Sequence, residues 1–258
     1  MAINKTLTTA TFCAAAALAL TGCSENEGGS QSTGQAKNPA SALPSKPANS
    51  LVGLTAMQIA DKSIDLSKSA KSVRYKGTIA DKGVPLGVDV TVDKARACKG
   101  TMARDGANVT LRKVGEDSYL KGDAAFWKQM GKEKGTPAAE ADATAEVLKG
   151  RWLKTPKGMA NGTEQVCDID QAFREIEETT DLTRSADSSV NGQPVAVLTR
   201  TGGAGTKAAL LYVAAKGKPY LLKATVGAGK GAVTLEFSEY DKPVTITAPP
   251  AGEVLDTE

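Results

Sequence analysis

Alternating apolar and polar residues predict a first group of β-strands between residues 73 and 120. In the clearest run, small or polar residues separate four apolar side chains that fall on one face, namely Leu86, Val88, Val90 and Val92. Short Gly/Asp turns such as Asp81–Gly83 separate the strands, so neighbours are expected to pair antiparallel. The other strands predicted in this group are Val73–Ile79, Ala97–Ala103, Asn108–Val114 and Ser118–Leu120.

Apolar residues before and after this strand group have the spacing that is typical of helices. Thr55 and Gln58 have the spacing of a capping box, and apolar residues then recur three to four positions apart, which predicts a helix over Ala56–Ala70. Three further helices are predicted in the middle of the chain, at Asp123–Met130, Ala138–Lys149 and Ile169–Glu178. The large apolar anchors expected for this helical region are Trp127, Trp152 and Phe173.

Strand spacing returns after the Asn191–Gly192 turn. The strands predicted there are Val195–Thr199, Ala208–Ala214, Tyr220–Val226, Ala232–Tyr240 and Val244–Thr247. The order helix, strands, helices, strands predicts an α+β fold. We expect a strongly curved antiparallel sheet, an open half-barrel, with helices covering its concave face.

The first 22 residues have the features of a lipoprotein signal peptide. Lys5 precedes an apolar run, Ala10–Leu20, that is too short to span a bilayer. A lipobox pattern follows, in which an apolar residue and two small residues precede a cysteine that accepts a diacylglyceryl group: Leu20, Thr21, Gly22 and Cys23. We therefore predict that two or three acyl chains on Cys23, palmitate among them, anchor the mature protein to the extracytoplasmic face of the bacterial cell membrane. The alternative is an ordinary secretory signal peptide with an incidental cysteine.

The chain is predicted to divide into four parts. These are a signal peptide (1–22), the lipidated cysteine with a flexible tether (23–52), a folded domain (53–251) and a C-terminal tail (252–258). Residues 24–50 are rich in Ser, Gly, Pro, Asn and Gln and too poor in large apolar side chains to offset the entropy lost on ordering. A flexible chain of this length spans about 30 Å, which would hold the folded domain just off the membrane.

Composition narrows the chemistry. The 258 residues include no histidine, which removes Ser-His-Asp hydrolysis, Cys-His proteases and His-ligated zinc sites. The 32 Lys and Arg residues and 29 Asp and Glu residues are spread along the chain, without the basic stripe of a nucleic-acid binder. Loss of Lys5 with the signal peptide lowers the net charge from +3 to +2. We expect a non-catalytic protein with no cofactor, metal ion or nucleic-acid partner.

Cys98 and Cys167 are the two thiols that remain once Cys13 is removed with the signal peptide and Cys23 is acylated. Outside the cytoplasm such thiols usually pair, so we predict a disulfide between them. The alternative, a reactive or metal-binding pair, has no histidine, no CxxC motif and no third thiol to support it.

Several segments together resemble the LppX/LprA/LprF/LprG lipoproteins of bacteria, a group similar in fold to the LolA and LolB lipoprotein carriers. Their order and spacing carry the resemblance over about Leu54 to Asp256. It implies an open, strongly bent antiparallel sheet whose helices close a hydrophobic cavity, and a protein that binds or moves lipids or lipoglycans in the cell envelope. The segments are SAKSVRYKGTI (69–79), VGEDSYLKG (114–122), FWKQM (126–130), GRWLKTP (150–156), VNGQPVAVL (190–198), KGKPYLLKATV (216–226) and LEFSEYDKPVTITAPPAGEVLD (235–256).

A lipid cavity in such a fold would be lined by apolar side chains on the concave face of the sheet. The candidates are Leu86, Val88, Val90, Val92, Leu111, Tyr119, Val197, Leu210 and Tyr212. The same side chains could fill an ordinary core. That alternative predicts a sensory or interaction lipoprotein of the same fold, which acts on a membrane-protein partner and has no lipid cavity.

Three short motifs imitate penicillin-recognising enzymes. Ser118–Lys121 matches S-x-x-K, Ser189–Asn191 matches S-x-N, and Arg200–Gly202 imitates K-T-G. In those enzymes the serine opens a buried helix, whereas Ser118 lies in a run with strand spacing. We therefore predict no catalytic residue.

Overall fold

Residues 51–81, 83–155 and 161–255 are described by a computed structural model of the protein. The lipobox, Cys23 and the tether up to residue 50 lie outside the described residues, so their roles stay predictions.

Within the described residues there are five α-helices, of which four form close to the predicted positions and the one at Asn161–Val166 was not predicted. The first begins at the predicted capping box: the Thr55 hydroxyl accepts from the Gln58 backbone N–H at 3.2 Å, and the Gln58 side chain accepts from the Thr55 N–H at 2.9 Å. The helices are α1 (Ala56–Lys68), α2 (Ala124–Glu133), α3 (Ala138–Leu148), α4 (Asn161–Val166) and α5 (Ile169–Glu177).

Thirteen strands of the described chain form a single open sheet. Their order across the sheet is β13-β6-β5-β4-β3-β2-β1-β12-β11-β10-β9-β7, and β8 also pairs with β9. The two predicted strand groups therefore meet where β1 pairs with β12. The strands are β1 (Ser72–Asp81), β2 (Val84–Asp93), β3 (Cys98–Arg104), β4 (Ala107–Val114), β5 (Asp117–Gly122), β6 (Trp152–Lys154), β7 (Thr183–Arg184), β8 (Ser188–Val190), β9 (Gln193–Arg200), β10 (Ala209–Ala214), β11 (Leu221–Val226), β12 (Val233–Ser238) and β13 (Val254–Leu255).

The sheet is not closed into a barrel, and helices pack on one face of it, which confirms the predicted α+β fold. Helix α1 contacts β10 and β11, α5 contacts β11, and α2 and α4 contact β4. The face beneath the helices carries the main core, with side chains such as Val90, Leu111, Leu211 and Leu235 fully buried.

Two glycines allow neighbouring strands to approach closely. Gly77 in β1 has a φ of +151°, and a Cβ atom there would lie 1.9 Å from the Thr234 carbonyl oxygen of β12. A Cβ atom on Gly100 in β3 would lie 2.3 Å from the Asp89 carbonyl oxygen. Such close backbone approach, which only glycine permits, is typical of tightly bent sheets.

The predicted strand at Val244–Thr247 is wrong. The carbonyl oxygens of Thr245 and Thr247 accept hydrogen bonds from the Lys99 Nζ at 3.2 Å and the Arg112 guanidinium at 3.4 Å. Because these side chains occupy its carbonyls, the segment lies across the convex face of the sheet and pairs with no strand. The chain joins the sheet again at β13, which pairs parallel with β6.

Trp152 was expected to anchor a helix and instead lies in the short strand β6. Its ring packs on the convex face under the Arg112 guanidinium, which lies 5.0 Å from the ring centroid. A strand of three residues is too short to show alternation, so its pattern could not separate it from a helix end.

Asp241 ties the end of β12 to the start of β1. Its carboxylate accepts hydrogen bonds from the Lys218 ammonium at 2.7 Å, the Tyr220 hydroxyl at 2.5 Å and the Lys71 backbone N–H at 2.9 Å. These hydrogen bonds, that of Lys218 first among them, hold the pKa of the Asp241 carboxyl well below its usual range.

We expect Asp241→Asn to lower the free energy of unfolding at pH 7 by about 1–2 kcal/mol, since it removes charged hydrogen bonds at a partly exposed site. A lowered folded-state pKa stabilises the protein above the unfolded pKa of about 3.9, and this contribution is lost as the pH falls below it. The difference from wild type should therefore shrink between pH 5 and pH 2. Urea denaturation across this range measures it, with the exposed Asp61→Asn as control; a difference that does not change with pH would contradict the assignment.

Candidate ligand cavity

A cavity of about 470 Å³ lies between the concave face of β1–β5 and the helices α2, α4 and α5. Tyr75, Val109 and Leu120 contribute to its sheet side. Its volume falls within the range of roughly 300–1,000 Å³ that is usual for small-molecule sites.

Part of the apolar lining of this cavity is only half-buried. Six apolar side chains of the wall pack against the core and are neither fully buried nor exposed: Ile79, Leu86, Met102, Phe126, Met130 and Ala172. Apolar groups that converge in a concave surface without filling it are typical of sites for hydrophobic ligands.

Helix α2 is held over the sheet by its first residues. A Cβ atom on Gly122 would lie 2.3 Å from the Phe126 ring, so only glycine lets this ring pack against β5. The Asp123 carboxylate accepts from the Phe126 N–H at 2.8 Å and from the Asn108 N–H of β4 at 2.9 Å. Partial burial opposes ionisation of Asp123, but hydrogen bonds from Asn108 and Phe126 outweigh it and lower the pKa of its carboxyl.

Helix α4 forms another part of the wall and is fixed to the sheet at its C-terminal end. The structure joins Cys167, which follows α4, to Cys98 of β3, with their Cα atoms 5.4 Å apart. The disulfide predicted from the sequence is therefore present. The Tyr75 hydroxyl of β1 also donates a hydrogen bond to the Val166 carbonyl oxygen, and burial raises the pKa of Tyr75.

Two ion pairs hold charged side chains of the wall. Arg104 of β3 pairs with Asp81 of β1 through one guanidinium nitrogen, while its Nε is buried and has no hydrogen-bond partner among the described residues. Glu175 of α5 pairs with Lys207 at 2.8 Å. The wall of the cavity thus combines apolar side chains with polar and charged ones.

Five of the nine side chains predicted to line a cavity do lie on the concave face. Of these, Leu86 lines the cavity, whereas the other four are packed in the core and at most 4% exposed: Val88, Val90, Val92 and Leu111. They form part of the filled interior beside the cavity.

The remaining four predicted lining residues are corrected by the structure, since they lie on the convex face. Tyr119 pairs with Arg112, whose side chain reaches the convex segment at Thr247. Val197, Leu210 and Tyr212 share that face, and Leu210 is 39% exposed. Strands β9 and β10 carry apolar residues on both faces, so their pattern did not distinguish the two faces, and a shift of one residue reverses every side chain.

Sequence reasoning missed the helical half of the wall. Phe126 and Met130 are four residues apart on α2, a spacing that puts both on one face of a predicted helix and could have identified them. The contributions of α4 had no such signal, because that helix is only six residues long.

The S-x-x-K motif does not form a catalytic pair. Residues three apart on a strand point to opposite faces. Ser118 is 1% exposed on the concave side, whereas the Lys121 ammonium lies 5.8 Å from the Trp152 ring centroid on the convex side. Ser189 lies on β8, near the opposite edge of the sheet.

Within the residues that the structure describes, no group of three or more His, Cys, Asp or Glu side chains could hold a metal ion. In the same part of the chain, no helix combines the length and the apolar character needed to cross a membrane.

No protein-family model and no curated protein sequence matches the chain, but solved structures do. The chain is similar to LprF from Mycobacterium bovis, with a TM-score of 0.54 and 14% identity over 75% of this chain and 96% of that chain. It is also similar to lipoprotein LppX from Mycobacterium tuberculosis, with a TM-score of 0.47 and 18% identity over 74% and 98% of the two chains. A weaker match to the MucA/MucB complex of Pseudomonas aeruginosa has a TM-score of 0.32 and 16% identity over 76% and 59% of the chains. The likeness to LprF confirms the fold that the sequence resemblance implied.

Proposed function

We propose that the protein is a non-catalytic lipoprotein that holds a lipid or another hydrophobic ligand in this cavity. Its place would be the extracytoplasmic face of a bacterial cell membrane, with Cys23 as the anchor. The observation that carries the proposal is the set of six half-buried apolar side chains around a space of about 470 Å³. Because each Å² of apolar surface removed from water is worth about 25 cal/mol, a hydrocarbon ligand gains binding energy there. The LprF-type fold supports the same proposal.

The polar groups of the wall support binding over catalysis. Asp81 and Glu175 are neutralised by Arg104 and Lys207, and the Tyr75 hydroxyl is used to hold α4. These three groups therefore serve the architecture of the cavity.

Filling the cavity should weaken ligand binding. We expect Ala172→Trp, on α5 in the cavity wall, to weaken binding of the neutral fluorescent probe N-phenyl-1-naphthylamine at least about tenfold, because the indole would occupy the ligand's space. The unlipidated chain 24–258 is titrated with the probe. Ala143→Trp, on the exposed side of α3, is the control and should bind as wild type does. If a folded Ala172→Trp protein binds the probe as tightly as wild type does, the ligand site lies outside this cavity.

The anchor has its own test. We expect Cys23→Ala to lose a metabolically incorporated alkynyl palmitate label and to leave the membrane fraction, because its thiol is the acceptor for the lipid. Cys13→Ala, inside the apolar run of the signal peptide, should keep both the label and the membrane location. A Cys23→Ala protein that is still labelled would show that another residue carries the lipid.

A further inference from the structure

We infer that the cavity takes a ligand with a single acyl chain, whose head group offers a carboxylate or phosphate oxygen to Arg104. The inference rests on the proposed function and specifies its ligand class. It follows from the volume of the cavity, from the order of side chains along the strands of its wall and from the hydrogen bonding of Arg104.

The volume fits one acyl chain. A methylene group occupies about as much space as a water molecule, roughly 30 Å³, so 470 Å³ corresponds to about 15 methylene groups. A lipid with two chains of that length would need about twice this space.

Among the described residues, the concave face next to the cavity is tightly packed. The concave face beside the cavity is filled by Val90 and Leu111, both 0% exposed, and by Phe173 and Ile176 of α5, also 0% exposed. A separate space of about 270 Å³, bordered by Tyr220 and Tyr240, shares no lining residue with the cavity.

The wall is also fixed at several points, which limits expansion. The Cys98–Cys167 disulfide and the Tyr75–Val166 hydrogen bond hold α4 to the sheet. The Asp123 carboxylate joins the start of α2 to β4. A bulkier ligand would have to break these contacts to gain space.

The side chains of β3 that face the cavity change along the strand, from a buried residue at its start to a charged residue at its end. Cys98, Gly100, Met102 and Arg104 share one face of this strand, because alternate residues of a strand point to the same side. Cys98 is 0% exposed, Met102 lines the cavity half-buried, and Arg104 stands at the end of the strand.

Strand β1, on the other side of β2, repeats this order. Tyr75 is buried, Ile79 is half-buried in the wall, and Asp81 ends the strand in its ion pair with Arg104. An amphiphile that follows both strands would place its hydrocarbon chain against Ile79 and Met102 and its head group at the Asp81–Arg104 end.

Arg104 has an unused hydrogen-bond donor at this point. One terminal nitrogen contacts Asp81, and no hydrogen bond joins the other terminal nitrogen to the described residues. That second nitrogen can donate to an oxygen of the ligand while the first keeps its contact with Asp81. Guanidinium groups carry several N–H donors and pair well with carboxylates and phosphates, so the head group can share Arg104 with Asp81.

Competition for the probe tests this inference on the unlipidated chain 24–258. Palmitate, 1-palmitoyl-lysophosphatidylglycerol, dipalmitoylphosphatidylglycerol and uncharged hexadecanol are each used to displace N-phenyl-1-naphthylamine. We expect at least one of the two single-chain anions to bind at 1:1 stoichiometry, about tenfold or more tightly than the two-chain lipid. Whichever binds more tightly identifies the head group.

Variants isolate the role of Arg104. We expect Arg104→Gln to weaken binding of the preferred anion about tenfold, the loss of one charged hydrogen bond, and to leave hexadecanol and the probe unchanged. Arg184→Gln, an exposed arginine paired with Asp187, is the matched control. Unchanged probe binding shows that Arg104→Gln keeps the cavity intact.

Two results would overturn the inference and leave the proposed function standing: equal displacement by the two-chain lipid, or equal affinity of the anion for wild type and Arg104→Gln. Failure of the probe and of all four amphiphiles to bind the wild-type chain would instead remove the proposed function and the inference together.

Discussion

Replacing Cys98 and Cys167 together with alanine is expected to lower the free energy of unfolding by about 4 kcal/mol. The disulfide joins residues 69 positions apart, and the loop it closes contains strands β3 to β6 and helices α2, α3 and α4. Without the disulfide the unfolded chain gains conformational entropy and the folded chain does not, so unfolding becomes more favourable. Both cysteines are at most 1% exposed, so the folded protein also loses a buried contact between α4 and the sheet.

Guanidinium denaturation of the chain 24–258 measures this effect. Wild type unfolded in the presence of a reductant should match the double variant within about 1 kcal/mol, because both lack the same cross-link. Probe binding should weaken as well, since Val166 and Thr163 of α4 line the cavity. A double variant as stable as oxidised wild type would mean that the cross-link contributes nothing to the fold.

Replacing Gly77 with alanine is expected to cost a similar amount, about 4 kcal/mol, which combines backbone strain with overpacking. Its φ of +151° is unfavourable for any residue with a Cβ atom, and that atom would lie 1.9 Å from the Thr234 carbonyl oxygen. The new Cβ atom would clash with the backbone of the paired strand β12, so the clash can be relieved only if β1 and β12 separate. This pairing joins the two halves of the sheet.

Gly87→Ala is the matched control on the neighbouring strand β2, where Gly87 lies opposite Thr78. Its nearest obstacle, the Ala103 carbonyl oxygen, would lie 3.4 Å from the new Cβ atom, an ordinary contact. We expect a change of less than about 1 kcal/mol there. Thermal and denaturant unfolding compare the two variants. Equal stability of Gly77→Ala and Gly87→Ala would contradict the claim that the close approach of β1 and β12 requires glycine.

Most of the regular elements could be predicted from local patterns. The capping box at Thr55 set the start of α1, and strict alternation from Leu86 to Val92 set β2 and its buried face. Both signals are local, because a cap depends on residues three apart and a strand face on residues two apart. The short strands β7, β8 and β13 carry too few residues to show a period, and their pairing is decided by distant parts of the chain.

The cavity was harder to predict than the fold. It depends on which face of each strand the helices cover, and the apolar residues of β9 and β10 occur on both faces. It also depends on the difference between a filled and an unfilled interior. Val90 and Leu86 have the same pattern in the sequence, yet one is fully buried and the other lines the cavity. Only the position of α2, α4 and α5 over the sheet separates them.

The same limit applies to the charged part of the wall. Arg104 ends a strand next to the Asp105–Gly106 turn. A charged residue at such a position gives no sign in the sequence of a binding role. Its pairing with Asp81 follows from β1 and β3 both flanking β2, which brings their ends together across 23 residues of chain. Topology, and not local pattern, makes it a candidate for binding a head group.

Native mass spectrometry can detect a lipid held in the cavity of the chain 24–258, exported without the lipid anchor and purified from a bacterial envelope without organic solvent. We expect one non-covalently bound lipid per chain, which is absent from Ala172→Trp and present in Ala143→Trp. A mass of the bare chain alone, before and after incubation with palmitate and lysophosphatidylglycerol, would contradict the claim that the cavity is a lipid site.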